Sequence, residues 1–269
     1  MKFSLAFSPC PNDTFITGAL VNGYVKSVHN YSVHMADVEE LNHRAMEHEF
    51  DITKLSFHAY AHCADYYDIL PVGAALGFGN GPLVVSKRKI YPDEIPHIHL
   101  AIPGKYTTAA LMSGVLLGKT AKTTEYLFSN IPQVVMDGEC DAGLLIHETR
   151  FTYEKMGLKK VCDLGEMWEK ETGLPLPLGC FVVRKGLPDS VKADIADDLR
   201  QSLVFAKNNS HEVRPYIMQH AKEMDWKVAQ KHIDLFVNEF TENLGEQGKK
   251  AIEEVLLRVE QKGLIENPK

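Results

Sequence analysis

Asp141-Ala142-Gly143-Leu144-Leu145-Ile146-His147-Glu148-Thr149-Arg150-Phe151 is the stretch on which the fold turns. Residues 142–146 are apolar and too few for a free-standing helix pattern. A short run without polar side chains reads as a strand buried on both faces in a parallel sheet. Glu148, Thr149 and Arg150 then open a segment that the pattern continues as helix to Gly157. His147 therefore stands where a buried strand meets a helix start. In open α/β sheets ligands bind at that end of the strands, and imidazole exchanges protons near neutral pH. A histidine satisfied by a neighbouring carbonyl fits the same position, and this stretch alone does not choose between the two.

Working outward, apolar runs of strand length alternate with helical patterns on both sides, which signals βαβ units. Strands are expected over 3–7, 31–38, 51–57, 69–76 and 83–86, with helices over 15–22, 39–49 and 58–66. Residues 87–97 are charged and contain Pro92 and Pro96, and they read as a domain boundary. A second set follows, with strands over 99–102, 124–128, 142–146 and 161–164 and helices between them. Gly173-Leu174-Pro175-Leu176-Pro177-Leu178-Gly179 reads as a rigid connection, from which a strand over 180–183 crosses back to the first set. Helices are expected from Pro188 onward, over 228–240 and over 248–263. The fold class is α/β. Residues 1–90 and 182–269 form a discontinuous first domain, 91–181 an inserted second one, and two crossings make a hinged cleft suited to a small ligand.

Composition narrows the partners. The chain has 269 residues, 45% hydrophobic and 24% charged, with a formal net charge of -7 and no basic block, which argues against nucleic acid. No apolar run approaches the ~18 residues of a membrane span. The first residues read as a strand, not a secretory signal, and five cysteines form an odd set without close pairing. Both point to a reducing cytoplasm. No repeat or low-complexity segment stands out.

Several motifs fail. Gly114-Val115-Leu116-Leu117-Gly118-Lys119-Thr120 has one residue too few between its glycines for a phosphate loop, and it ends a helix. Gly77, Gly79 and Gly81 read as a turn. His58 and His62 lie four apart on an expected helix, but Ala59 stands where a zinc protease carries glutamate, and a solvated or partly buried pair is the simpler reading. Three turns that follow expected strands keep their interest: 8–14, 54–57 and 106–109. Each sets hydroxyls, charge or free backbone N–H groups at a helix start, a place for anionic oxygens or for ordinary capping.

Ser8-Pro9-Cys10-Pro11-Asn12-Asp13-Thr14-Phe15, Thr53-Lys54-Leu55-Ser56, Pro103-Gly104-Lys105-Tyr106-Thr107-Thr108-Ala109, the segment from Gly143 to Tyr153 and the Gly173-to-Gly179 connection occur in this order. As a set they closely resemble the 1,4-dihydroxy-6-naphthoate synthases of the futalosine route to menaquinone, over nearly the whole chain. The resemblance implies the type II periplasmic-binding-protein fold, a cytoplasmic location and a lyase that needs no redox cofactor and no metal. The implied substrate is cyclic dehypoxanthinyl futalosine. It further implies His147 as general base, and substrate contacts at Lys54, Leu55 and Ser56 on one side and Thr108 and Ala109 on the other. Thr107 joins these as a neighbour, with Asn12 and Asp13 in second rank. Phe57 and His58 stand where other members carry different side chains.

Three competitors share the fold: a non-enzymatic carboxylate-binding protein, the sister enzyme that dehydrates chorismate, and a transcriptional effector domain. The first usually carries an export signal and the last a helix-turn-helix segment; the motif set argues against the second. A small-molecule substrate, no nucleic acid, no membrane, and a monomer or homodimer complete the expectation. Cys10 borders the expected cleft, with packing or chemistry both open.

Overall fold

The computed structural model describes residues 1–222 and 225–264. The first half of the chain runs β1 (Lys2–Phe7), α1 (Pro11–Val21), β2 (Asn30–Met35), α2 (Val38–Met46), β3 (Ile52–Ser56), α3 (Phe57–Cys63), β4 (Tyr67–Ile69) and β5 (Ala75–Gly77). There follow β6 (Leu83–Ser86), β7 (His99–Ile102), α4 (Thr108–Leu116), β8 (Lys122–Glu125), α5 (Ile131–Asp137), β9 (Ala142–Leu145), β10 (Lys159–Asp163) and α6 (Leu164–Thr172). The chain then returns through β11 (Leu176–Arg184) to α7 (Asp189–Asn208), α8 (Ser210–His220), α9 (Trp226–Phe236), α10 (Glu239–Glu242) and α11 (Gly245–Gln261).

Two mixed sheets result. The first has the order β2-β1-β3-β11-β4, with β5 also paired to β11. Its β1 lies parallel to β2 and β3, while β11 runs antiparallel to β3, setting Phe181 opposite Lys54 and Gly179 opposite Ser56. The second sheet has the order β10-β6-β9-β7-β8. There β9 is fully buried, parallel to β7 on one side and antiparallel to β6 on the other. The parallel sheet expected around 142–146 is thus mixed. Gly143 lets α5 settle on β9, because a Cβ there would stand 2.4 Å from Ile131 Cγ2. This two-sheet architecture is the expected α/β class with a cleft between the sheets.

Sheet membership changes earlier than the expected boundaries. β6 already belongs to the second sheet, so the outgoing crossing is 78–82 and not 90/91. Its charged successor, 87–97, is a surface connection within the second sheet that includes a 3-10 turn, Pro92–His97. The return precedes Leu176, which pairs with Gly77, so the boundary at 181/182 falls inside β11. The expected first domain also included 223–224 and 265–269, which lie outside the described residues. The C-terminal helix joins both halves: Val255 and Val259 pack with Leu100, Met112 and Trp168, while Ala251 and Ile252 pack with Leu55 and Phe57.

Local corrections have local causes. α1 begins at Pro11, four residues before its expected start, since proline at the first helical position has its φ preset and no N–H to satisfy. Asn12, Asp13 and Thr14, expected as caps, lie inside that first turn. The helix expected over 148–157 is two 3-10 turns, His147–Phe151 and Tyr153–Met156, closed by Gly157 at φ 83°. Thr149 Oγ1 donates to the Ile146 carbonyl at 2.6 Å, a local bond that competes with regular helix. α8 went unread, because Pro215 interrupts it and only Val213 and Ile217 of its face are buried. The helix expected over 228–240 breaks at Asn238, which caps α10.

Candidate active site

The two crossings and the strand ends around them enclose a cleft. It is lined by Lys54, Leu55 and Ser56 from β3, by Thr107, Thr108 and Ala109 at the start of α4, and by His147 after β9. Every residue expected to contact substrate therefore borders one space. Asn12 and Asp13 line it too, as do Asn80, Gly81 and Pro82 of the outgoing crossing and Leu178 and Gly179 of β11. The crossing segments thus form part of the cleft lining. Gly81 permits this arrangement, since a Cβ there would lie 2.1 Å from the Gly165 backbone nitrogen at the start of α6.

The wall built on the first sheet is satisfied internally. Lys54 Nζ contacts Asp13 Oδ1 and the Gly73 carbonyl, both at 2.9 Å, and lies 4.8 Å from the centre of the Phe181 ring. Asp13 Oδ2 accepts from Ser8 Oγ at 2.7 Å and from its backbone N–H, while Oδ1 also accepts from Asn12 Nδ2. Both ionic side chains are buried, so the pair is mutually neutralised and Lys54 carries little unspent charge into the cleft.

The hydroxyls are likewise committed. Ser56 Oγ donates to the Tyr106 carbonyl and accepts from Ala59 N–H. Thr107 Oγ1 donates to the Gly104 carbonyl at 2.8 Å and caps α4 through Ala110 N–H. Thr108 Oγ1 donates to the Leu178 carbonyl at 2.6 Å and accepts from Phe57 N–H. These bonds clasp the two sheets together, aided by Asn42, whose amide donates to the Tyr106 carbonyl and accepts from Ser56 N–H. What the turn at 107–109 offers an anionic oxygen is therefore its first-turn N–H groups at Thr108 and Ala109, which have no acceptor within the helix.

The opposite wall differs. His147 adopts φ 53°, one of two non-glycine residues with positive φ among the described residues. That conformation costs about 1 kcal/mol or more and is retained where the surroundings impose it, often at functional sites. Its Nε2 is buried without a hydrogen-bond partner. Phe128 meets the ring edge-on at 4.8 Å, and His232 lies nearly parallel to it at 5.9 Å between ring centres. Glu148 is buried, with neither carboxylate oxygen partnered. One donor atom each from Cys10, His147 and Glu148 lies within 4.8 Å of the others, a donor set capable of taking a soft divalent ion. Burial, then Glu148 and Asp13, push the Cys10 thiol well above its usual range. It is a neutral thiol at physiological pH and not a thiolate nucleophile.

Two lining residues escaped the sequence reading. His232 is 1% exposed on the apolar stripe of α9, between Val228, Ala229 and Phe236. Burial, then the neighbouring His147, Arg150 and Lys54, hold its pKa well below the usual histidine value. The ring is thus neutral, and Nε2 donates to Asn12 Oδ1 at 2.9 Å. A histidine inside a helical apolar stripe was the available signal. Arg150 was visible in the motif but not counted as a contact, and it lines the cleft too. His58 and His62 are neighbours at 5.4 Å, and burial and His62 lower the pKa of His58 to about 4.

Two sheets, two crossings and a cleft between them define a periplasmic-binding-protein-like architecture. The ligand-binding component of an ABC-type import system from Staphylococcus aureus shares it, with a TM-score of 0.74 at 14% identity over 100% of this chain and 94% of that one. An Archaeoglobus fulgidus protein solved by X-ray crystallography superposes with a TM-score of 0.94 at 36% identity over 98% of both chains. The chain belongs to the menaquinone biosynthesis family, whose model matches residues 3–261. Relatives named 1,4-dihydroxy-6-naphtoate synthase from Streptomyces coelicolor and Thermus thermophilus are each 40% identical, over 97% of this chain and 94% of theirs. No helix among the described residues is long and apolar enough to cross a membrane.

Proposed function

We propose that this enzyme of menaquinone biosynthesis fragments cyclic dehypoxanthinyl futalosine to 1,4-dihydroxy-6-naphthoate in the cytoplasm, with His147 as general base. The 40% identity to two synthases over nearly the full chain supports the activity. The observation that carries the mechanism is the unpartnered Nε2 of His147 at the cleft. A lone pair not engaged by the protein is free to take a substrate proton. Imidazole is the side chain most often used as a general base.

His147 takes a proton beside the substrate's ketone, a carbon–oxygen bond breaks with its oxygen taking that proton back, and carbon–carbon cleavage releases the sugar remnant as the ring aromatises. No net redox change is needed. The N–H groups of Thr108 and Ala109 hold the developing oxyanion. Neutral His232 limits how the His147 ring sits, through stacking and its own bond to Asn12. Lys54, Leu55 and Ser56 shape the facing wall. A binding protein of the same fold needs neither a free base nor backbone strain at it.

The test is direct: purified protein is mixed with cyclic dehypoxanthinyl futalosine, and naphthoate is followed by absorbance and mass. Product formation is expected. Tight binding without product would replace this reading with a binding protein, and neither binding nor product would send the search to chorismate.

A further inference from the structure

Cations on the cleft wall differ in how much of their charge is already used. Lys54 has a carboxylate, a carbonyl and an aromatic face around it. Arg150 does not. Its Nη1 is buried without a hydrogen-bond partner, and its Nη2 reaches Asp163 Oδ2 only at 3.4 Å. Asp163 is itself occupied at Oδ1, which caps α6 through Gly165 N–H at 2.8 Å and Glu166 N–H at 3.2 Å. A guanidinium presents five donors in a planar fork, and here most of that fork is unspent in a side chain 10% exposed. A buried cation so poorly matched is costly unless an anion arrives.

Placement adds a second argument. His147 and Arg150 stand three apart in one short segment, His147–Phe151, and both line the cleft, so base and cation border the same space. Glu148 does not line the cleft, and its carboxylate lies within 4.8 Å of donor atoms of both Cys10 and His147. Burial depresses the Arg150 pKa, as expected for a cation waiting for its counter-ion.

We propose that Arg150 anchors the aromatic carboxylate of the substrate through its unpaired Nη1 edge, fixing the reacting ring against the His147 turn. This rests on the naphthoate-forming reading above. Planar guanidinium–carboxylate pairing supplies orientation as well as attraction, so the anchor sets which substrate carbon faces His147.

The experiment compares 1,4-dihydroxy-6-naphthoate with 1,4-dihydroxynaphthalene, which lacks the carboxylate, by calorimetric titration of wild type, Arg150→Gln and Arg150→Lys. Wild type should favour the acid by about 100-fold, the range for a charge-assisted bond in a buried site. Arg150→Gln should bring the two ligands within about threefold of each other, and Arg150→Lys should retain about a tenth of the preference. In turnover, Arg150→Gln should raise KM far more than it lowers kcat. A merely structural role would weaken both ligands equally. A glutamine variant that keeps the acid preference overturns the anchor. Should that variant not fold, an undiminished preference in Arg150→Lys overturns the planar guanidinium pairing equally. Wild type that binds both ligands with equal affinity also overturns the anchor while leaving turnover to judge the substrate reading; wild type that binds neither removes both.

Discussion

The two walls of the cleft are built to different standards of completeness. On the first sheet Lys54, Asp13, Ser56 and Asn42 find partners within the protein, so that wall is a finished network. On the His147–Phe151 turn, His147 Nε2, both oxygens of Glu148 and Nη1 of Arg150 are buried without partners, and the backbone is strained at His147. Unsatisfied buried polar groups cost about 1–3 kcal/mol each. Concentrating them on one turn teaches where binding and reaction energy are to be recovered. The finished wall supplies shape and rigidity; the unfinished wall supplies chemistry.

The sharpest way to break this contrast is His147→Asn. Asparagine tolerates the left-handed backbone at this position, so folding should survive. Turnover should fall by about a thousandfold while substrate affinity, read by titration, changes little. Undiminished turnover would remove His147 from the reaction. On the finished wall the large effect should be on stability. Lys54→Met leaves Asp13 buried without its counter-ion and should lower unfolding free energy by about 3–5 kcal/mol in a denaturant titration, most of it restored in the Asp13→Asn/Lys54→Met double variant. Equal losses in single and double variants would show that the pair is not what completes this wall.

Acid should act on the fold through two buried histidines. His58 and His232 stay neutral in the fold because burial opposes their charge. Below about pH 6.5 the unfolded chain binds protons that the folded chain refuses, so stability is full above that pH and falls as pH drops. For His58 the loss continues to a pKa of about 4. His58→Gln should flatten the decline of melting temperature between these limits, the histidine being responsible for roughly 3 kcal/mol at most. An unaltered slope would assign the decline elsewhere. The smallest effect concerns Glu148→Gln. Loss of a nearby negative charge lowers the Cys10 pKa, but burial, the larger cause, persists. Alkylation of Cys10 should therefore quicken by less than about tenfold; a larger rise would mean that Glu148 keeps the thiol covered.

Much of this contrast was legible in the chain itself, for identifiable reasons. Residues 142–145 announce a buried strand because nothing polar interrupts them, and His147 follows at the sheet end. Lys54 and Ser56 fall near the end of a buried strand and Thr107 and Thr108 at a helix start, which local pattern marks well. Partnerships are a different matter. That Lys54 is neutralised by Asp13, or that Thr108 spends its hydroxyl on Leu178, depends on segments far apart in sequence. His232 enters the cleft from α9 with no local sign beyond its apolar surroundings. β8 is mostly exposed and polar, Lys122 to Glu125, so its register escaped a reading based on hydrophobicity. The charged segment 87–97 misplaced a boundary because a surface connection and a linker have the same composition.

The position of β11 has a consequence for how the protein comes off the ribosome. The second sheet is drawn from one continuous span, 83–163, and is free to assemble once that span has emerged. The first sheet is not: β3 awaits residues 176–184, which sit between it and β4. Throughout synthesis of the intervening hundred or so residues, β3 keeps an open strand edge, the kind of surface that recruits chaperones or other nascent chains. The polypeptide made first is thus completed last, and slow translation across the stretch before residue 176 would prolong the interval in which it is most exposed to misassembly.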